Sequence, residues 1–174
     1  MEVIYNEARI RTAVEFLIYK IRNEVDLSNP TYICVLDGGV PFFKDMTRYL
    51  PSGNCLYIKA SSYKGNIKSD GGVDISVPYD LDKELSDNIL IFDDIWDTGC
   101  TCINIIDMLL RIRPEAKITT IVALHRDISI SSSKYAAFTT KSRDFFAGYG
   151  MDNNGRDRNL PYIYAVKEDE VFPS

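Results

Sequence analysis

Apolar residues recur along this chain with two different periods. Between Glu7 and Val25 the apolar positions Ile10, Val14, Leu17, Ile18 and Ile21 fall near helical spacing. The pattern ends before Pro30, so an amphipathic helix packed on a sheet is predicted there. Tyr32 to Leu36, Leu56 to Ala60, Ile89 to Phe92 and Lys117 to Leu124 are short and largely apolar, each with β-branched residues. Strands covered on both faces of a parallel sheet have that character. Phe42 to Leu50 and Cys102 to Arg113, the second stopped by Pro114, read as helices following two of these strands. The order is helix, strand, helix, strand, polar segment, strand, helix, strand and an irregular tail. Such alternation predicts an α/β fold, with a mainly parallel sheet flanked by helices and right-handed crossovers. The polar, glycine-containing stretch 61–78 is too long for a simple connection in a compact domain, which predicts an active-site lid.

Composition narrows the setting. A chain of 174 residues with 45% hydrophobic content fits one domain, residues 1–174, with a core of its own. Neither a bilayer-length apolar run nor a basic leader precedes or interrupts the pattern, so a cytoplasmic protein without membrane contact is expected. Cys34, Cys55, Cys100 and Cys102 lack zinc-like pairing and are expected as reduced thiols. A net charge of −5 argues against nucleic acid as a partner. An anionic ligand would have to be drawn in locally, by Lys59, Lys64, Lys68, Arg126 or Arg158.

The densest chemistry lies from Ile89 to Thr101. Asp93 and Asp94 follow the apolar run directly, at the strand end where open α/β sheets bind ligands, and offer oxygens to vicinal hydroxyls or Mg²⁺. Asp97 to Thr101 then supplies two threonine hydroxyls, a glycine and the start of a helix, which suits a phosphate monoester. The chain contains neither the Gly-Lys-Ser/Thr of a Walker loop nor a dinucleotide-binding glycine fingerprint after a strand, so triphosphate hydrolysis and dinucleotide binding are not expected.

Ile89 to Thr101 resembles the 5-phosphoribosyl-1-pyrophosphate signature of the type I phosphoribosyltransferases. The resemblance is strongest to the hypoxanthine-guanine phosphoribosyltransferases and continues through Val35 to Gly39, Ser61 to Tyr63 and Asp144 to Leu160, in order. It implies the fold of that family, with a small hood built from residues 143–174 and the N-terminus. It also implies a purine-salvage reaction in which ribose 5-phosphate passes from 5-phosphoribosyl-1-pyrophosphate to N9 of hypoxanthine or guanine. IMP or GMP and pyrophosphate would be released, with Mg²⁺ as cofactor and a homodimer or homotetramer as the assembly.

By the same resemblance, Asp93 and Asp94 hold the ribose hydroxyls and metal, and Asp97 serves as catalytic base near purine N7. Asp97, Thr98, Gly99, Cys100 and Thr101 surround the 5′-phosphate. Asp37, Gly38, Gly39 and Arg158 meet pyrophosphate. Ser62 and Tyr63 belong to the closing loop. His125, Phe145, Phe146 and Asp152 form the purine side, Asp152 also as a ligand of a second Mg²⁺. The peptide between Leu36 and Asp37 is implied to be cis.

Three positions depart from the family pattern. Cys100 and Asp37 stand where several relatives carry lysine, and His125 stands where 6-oxopurine enzymes place a lysine beside the exocyclic oxygen. Histidine can donate or accept according to its tautomer, so xanthine, adenine or a modified base stays open, and Arg126 is an alternative for the lost contact. A non-catalytic nucleotide-binding regulator on the same fold is the reading from another class.

Overall fold

A computed structural model describes residues 2–62, 73–77, 80–127 and 135–166. The chain opens with a short strand, β1 (Glu2–Tyr5), and a helix, α1 (Glu7–Glu24). Asn6 caps α1 by accepting from the Arg9 N–H at 2.9 Å, which satisfies one of the free first-turn donors. The buried face of α1 consists of Ile10, Val14, Leu17, Ile18 and Ile21, the stripe predicted from spacing.

The central sheet is built from β2 (Pro30–Leu36), β3 (Asn54–Ser62), β4 (Val73–Ser76), β5 (Asn88–Trp96), β6 (Lys117–Arg126) and β7 (Tyr135–Thr140). Its order is β4-β3-β2-β5-β6-β7, parallel throughout except for the antiparallel edge strand β4. Helix α2 (Val40–Thr47) follows β2, α3 (Leu81–Glu84) precedes β5, and α4 (Cys100–Ile112) follows β5. A second, antiparallel sheet joins β1 to β9 (Ile163–Val166) and β8 (Phe145–Ala147), in the order β1-β9-β8. N-terminus and C-terminal segment thus form one small layer.

Side-chain alternation divides the core in two. Tyr32, Cys34, Leu90 and Phe92 point into a cluster with Ile18, Ile21, Phe42 and Met46, whereas Ile33, Val35, Ile89 and Ile91 join Cys102, Ile105 and Leu109. The period of two along β2 and β5 therefore puts α1 and α2 on one face and α4 on the other. After β2 the chain turns to β3 on one side, and after β5 it turns to β6 on the other. The carboxyl ends of β2 and β5 consequently diverge into helices on opposite faces, and such a switch point leaves a crevice open to ligand.

Several elements differ from the sequence reading. The stretch expected as a lid is strand at both ends, since β3 runs through Ser62 and pairs with Val73 of β4, while residues 63–72 lie outside the described part. The tail expected to be irregular holds β8 and β9, and β1 and β7 were not anticipated. Each is short or lacks a long apolar run, so only its pairing partner marks it. β5 also continues past the acids to Trp96, so Asp93 and Asp94 lie within the strand rather than beyond it.

Candidate active site

At the crevice between the ends of β2 and β5 lies a cavity of about 270 Å³. Its walls include Asp37, Gly38, Asp93, Asp94, the loop from Asp97 to Thr101, and Arg158 from the C-terminal segment. Three distant stretches of sequence thus meet at one place.

The acids are held by backbone. The Asp94 N–H donates to Asp93 Oδ1 at 2.9 Å, and the Ile95 N–H donates to Asp94 Oδ1 at 2.7 Å. The Cys102 thiol from α4 lies 3.6 Å from the other Asp93 oxygen. Burial raises the pKa of both carboxyls, and for Asp93 the adjacent Asp94 charge raises it further. The site thus confines negative charge that a metal ion or sugar hydroxyls would relieve.

The sign of that shift has a consequence for stability. Above the ordinary carboxylate range the unfolded chain has released the Asp93 proton while the folded chain retains it, so stability falls as pH rises through that window. Asp93→Asn keeps the shape and removes the titration. Its unfolding midpoint in urea is expected to exceed that of the parent at neutral pH and to converge with it in acid. A parent less stable than the variant in acid, or equal to it at neutral pH, would contradict the assignment.

Glycine at position 38 is set by Asp94. A Cβ there would lie 1.8 Å from Asp94 Oδ2, whose carboxylate is already fixed by the Ile95 amide. Gly38→Ala must displace that carboxylate, and a misplacement near 1 Å is expected to lower kcat/KM about 100-fold. Steady-state kinetics of the variant, with circular dichroism to establish folding, provide the check. The peptide between Leu36 and Asp37 is cis. Gly39 is not in the cavity wall, because its N–H donates to the Val35 carbonyl at 3.0 Å and a Cβ would press on the Val35 and Phe92 carbonyls. Asp37 faces Lys59, with 4.0 Å between Oδ2 and Nζ.

Asp97 carries an ion pair that spacing alone did not reveal. Arg126 Nε lies 2.9 Å from Asp97 Oδ1, and the guanidinium also donates to the carbonyls of Ser142 at 2.9 Å and Asp144 at 3.1 Å. Its central carbon stands 5.4 Å from the Phe146 ring centroid. The parallel register that pairs Trp96 with His125 brings Arg126 opposite Asp97 one step further on, a relation available only once the strands are paired.

His125 does not join the acid-lined cavity. It lines a separate one with Ala13, Phe16, Leu17 and Lys20, by α1 and β7. Successive residues of a strand face opposite ways, so one position separates the residue expected at the purine from the one beside Asp97. Phe145 is exposed, at 44%, and Phe146 is buried beneath Arg126. Asp152 is likewise absent from the cavity wall. It accepts from Arg158 at 3.0 Å and from the Gly155 N–H at 2.9 Å, while Arg158 also donates to the Gly150 carbonyl at 2.7 Å. Asp152 therefore aims Arg158 into the cavity. Tyr63 lies outside the described residues, and for Ser62 only the strand pairing is described.

The sequence pattern of the phosphoribosyl transferase domain matches residues 2–154. The chain belongs to this family. It is 32% identical to the hypoxanthine-guanine-xanthine phosphoribosyltransferase of Tritrichomonas foetus, over 95% of this chain and 91% of that protein. With the hypoxanthine-guanine phosphoribosyltransferase of Streptococcus thermophilus it shares 30% identity, over 97% of this chain and 94% of the relative. Its fold is similar to a crystal structure of a hypoxanthine phosphoribosyltransferase from Staphylococcus aureus, with a TM-score of 0.84, 24% identity, and coverage of 100% and 95% of the two chains. Among phosphoribosyltransferases, then, this chain has the acid pair, the phosphate-type loop and Arg158 around one crevice.

Proposed function

We propose that the protein is a purine-salvage phosphoribosyltransferase, moving ribose 5-phosphate from 5-phosphoribosyl-1-pyrophosphate to N9 of hypoxanthine or guanine. The observation that carries this reading is the convergence of Asp93, Asp94, the Asp97 to Thr101 loop, Gly38 and Arg158 on a single cavity. A donor with a 5′-phosphate, a ribose and a pyrophosphate needs three such neighbouring subsites.

The loop and the N-terminal end of α4 hold the 5′-phosphate, because the positive end of a 13-residue helix favours an anion there. Asp93 and Asp94 hold the ribose hydroxyls. Arg158 neutralises departing pyrophosphate with a planar fork of donors. As the C1–O bond lengthens the sugar acquires oxocarbenium character, so the fixed carboxylates stabilise charge as it develops. Purine N9 then attacks C1, pyrophosphate leaves with the bonding pair, and Asp97 takes the proton from the base at N7. Arg126 keeps that carboxylate oriented.

Mg²⁺ fits the donor set of Asp93 and Asp94: two adjacent carboxylates, the first buried and the second half-buried, can hold a cation that completes its shell with substrate oxygens and water. When bound, it would neutralise pyrophosphate charge and anchor the donor. No cluster of three or more metal-type side chains occurs among the described residues, so the substrate itself would supply part of the coordination.

Pyrophosphate release from 5-phosphoribosyl-1-pyrophosphate, measured with Mg²⁺ and each of hypoxanthine, guanine, xanthine, adenine, uracil or no base, tests the proposal. Release dependent on hypoxanthine or guanine supports it. Release with another base alone moves the specificity, and donor binding without release under any condition removes the catalytic reading.

A further inference from the structure

Arg158 reaches the cavity from a tight turn, and that turn is held by a residue outside the cavity wall. Asn153 and Arg156 exchange backbone hydrogen bonds, each at 3.0 Å, and the two residues between them, Asn154 and Gly155, have φ of +50° and +79°. Positive φ at both central positions marks a tight hairpin reversal. Asp157 follows with φ of +69°, a conformation that a residue other than glycine keeps only where its surroundings hold it.

Tyr164 of β9 supplies the hold. Its side chain is 2% exposed and packs with Ala147, Leu160, Tyr162 and Val166. The hydroxyl donates to Asp157 Oδ2 at 2.5 Å and accepts from Asn153 Nδ2 at 3.3 Å. Phenylalanine would fill the same space, so packing does not account for the hydroxyl. Asn153 directly follows Asp152, and Asp157 directly precedes Arg158. One hydroxyl therefore bridges the two limbs of the turn one step inside the Asp152–Arg158 pair, whose 3.0 Å contact aims the guanidinium. From the other side the Gly150 N–H donates to the Arg158 carbonyl at 2.9 Å.

We propose that Tyr164 is a positioning residue for Arg158, its hydroxyl fixing the turn 153–157 so that the guanidinium meets pyrophosphate. The inference rests on reading Arg158 as the pyrophosphate group and adds a residue behind it. Tyr164 acts only through the turn, since it lies outside the wall that substrate would touch.

Calorimetry of the intact protein with inorganic pyrophosphate and, separately, ribose 5-phosphate, both in Mg²⁺ buffer, tests this. Tyr164→Phe is expected to weaken pyrophosphate binding about tenfold, the scale of one lost hydrogen bond, while ribose 5-phosphate affinity stays within about twofold of the parent. Asp157→Gly, which suits the left-handed backbone and removes the acceptor, is expected to do the same. In an Arg158→Ala background Tyr164→Phe is expected to change pyrophosphate affinity no further, because the tyrosine then has no guanidinium to position. Equal losses for the two ligands, or a full further loss in the Arg158→Ala background, would make Tyr164 a general support of the fold and overturn the proposal. Unchanged pyrophosphate affinity in both single variants would overturn it as well. If Arg158→Ala itself bound pyrophosphate like the parent, the pyrophosphate reading of Arg158 would fall, and the role of Tyr164 with it.

Discussion

Asp97→Asn is expected to lower kcat by about 10²–10⁴-fold while leaving affinity for 5-phosphoribosyl-1-pyrophosphate within a few-fold of the parent. The asparagine keeps the size of the side chain and its place before the loop, so the phosphate cradle survives. What disappears is the carboxylate that can take a proton, together with its ion pair to Arg126 at 2.9 Å. Steady-state rates with hypoxanthine, alongside donor binding by calorimetry, separate the two effects. A variant with parental turnover would remove Asp97 from proton transfer, and one that lost donor affinity in proportion to rate would make it a phosphate-loop residue only.

The contrast between Asp97 and the Asp93–Asp94 pair comes from their surroundings. Asp97 keeps a side chain 55% exposed at the cavity mouth, whereas Asp93 is only 6% exposed and lies beside a second acid. Three carboxylates within five residues are therefore given different work. The more enclosed pair suits cation and hydroxyl binding, and the accessible one suits exchange of a proton with a transient base.

Much of this division was legible before the fold was known, and the reason is local. An apolar run, an acid pair and a glycine turn are contiguous, so the strand, the crevice edge and the turn into α4 could be read from one stretch. The buried stripe of α1 was equally legible, because helical periodicity is a property of neighbours. Residues whose role depends on pairing were not. The contact of Asp152 with Arg158 at 3.0 Å and the bond from the Gly39 N–H to the Val35 carbonyl at 3.0 Å could not be read from spacing. Strand β4 was hidden because Val73–Ser76 carries too short a pattern to distinguish it from a polar loop. The exchange between His125 and Arg126 has the same origin, since resemblance fixes a position along the chain but the pleat decides which of two neighbours lies beside Asp97.

That exchange yields the second large effect. Arg126→Ala is expected to reduce kcat/KM for hypoxanthine and guanine by about 10–100-fold, because contacts of a charged group are lost at three places. The Asp97 carboxylate loses its orienting partner, the carbonyls of Ser142 and Asp144 lose their donor, and the Phe146 ring loses the cation above it. The first should appear in kcat. The second and third should appear in KM for the base, since Phe146 lies beneath the guanidinium that pairs with Asp97. His125→Ala serves as the counterpart: its site lies in the cavity by α1, so rate and base preference are expected to stay within about twofold, the range of a change remote from the chemistry. Measuring both variants against hypoxanthine, guanine and xanthine decides between the two residues. If His125→Ala changed base preference while Arg126→Ala did not, the purine edge would be read by the histidine, and the strand would have to turn that side chain toward Asp97 when a base is bound.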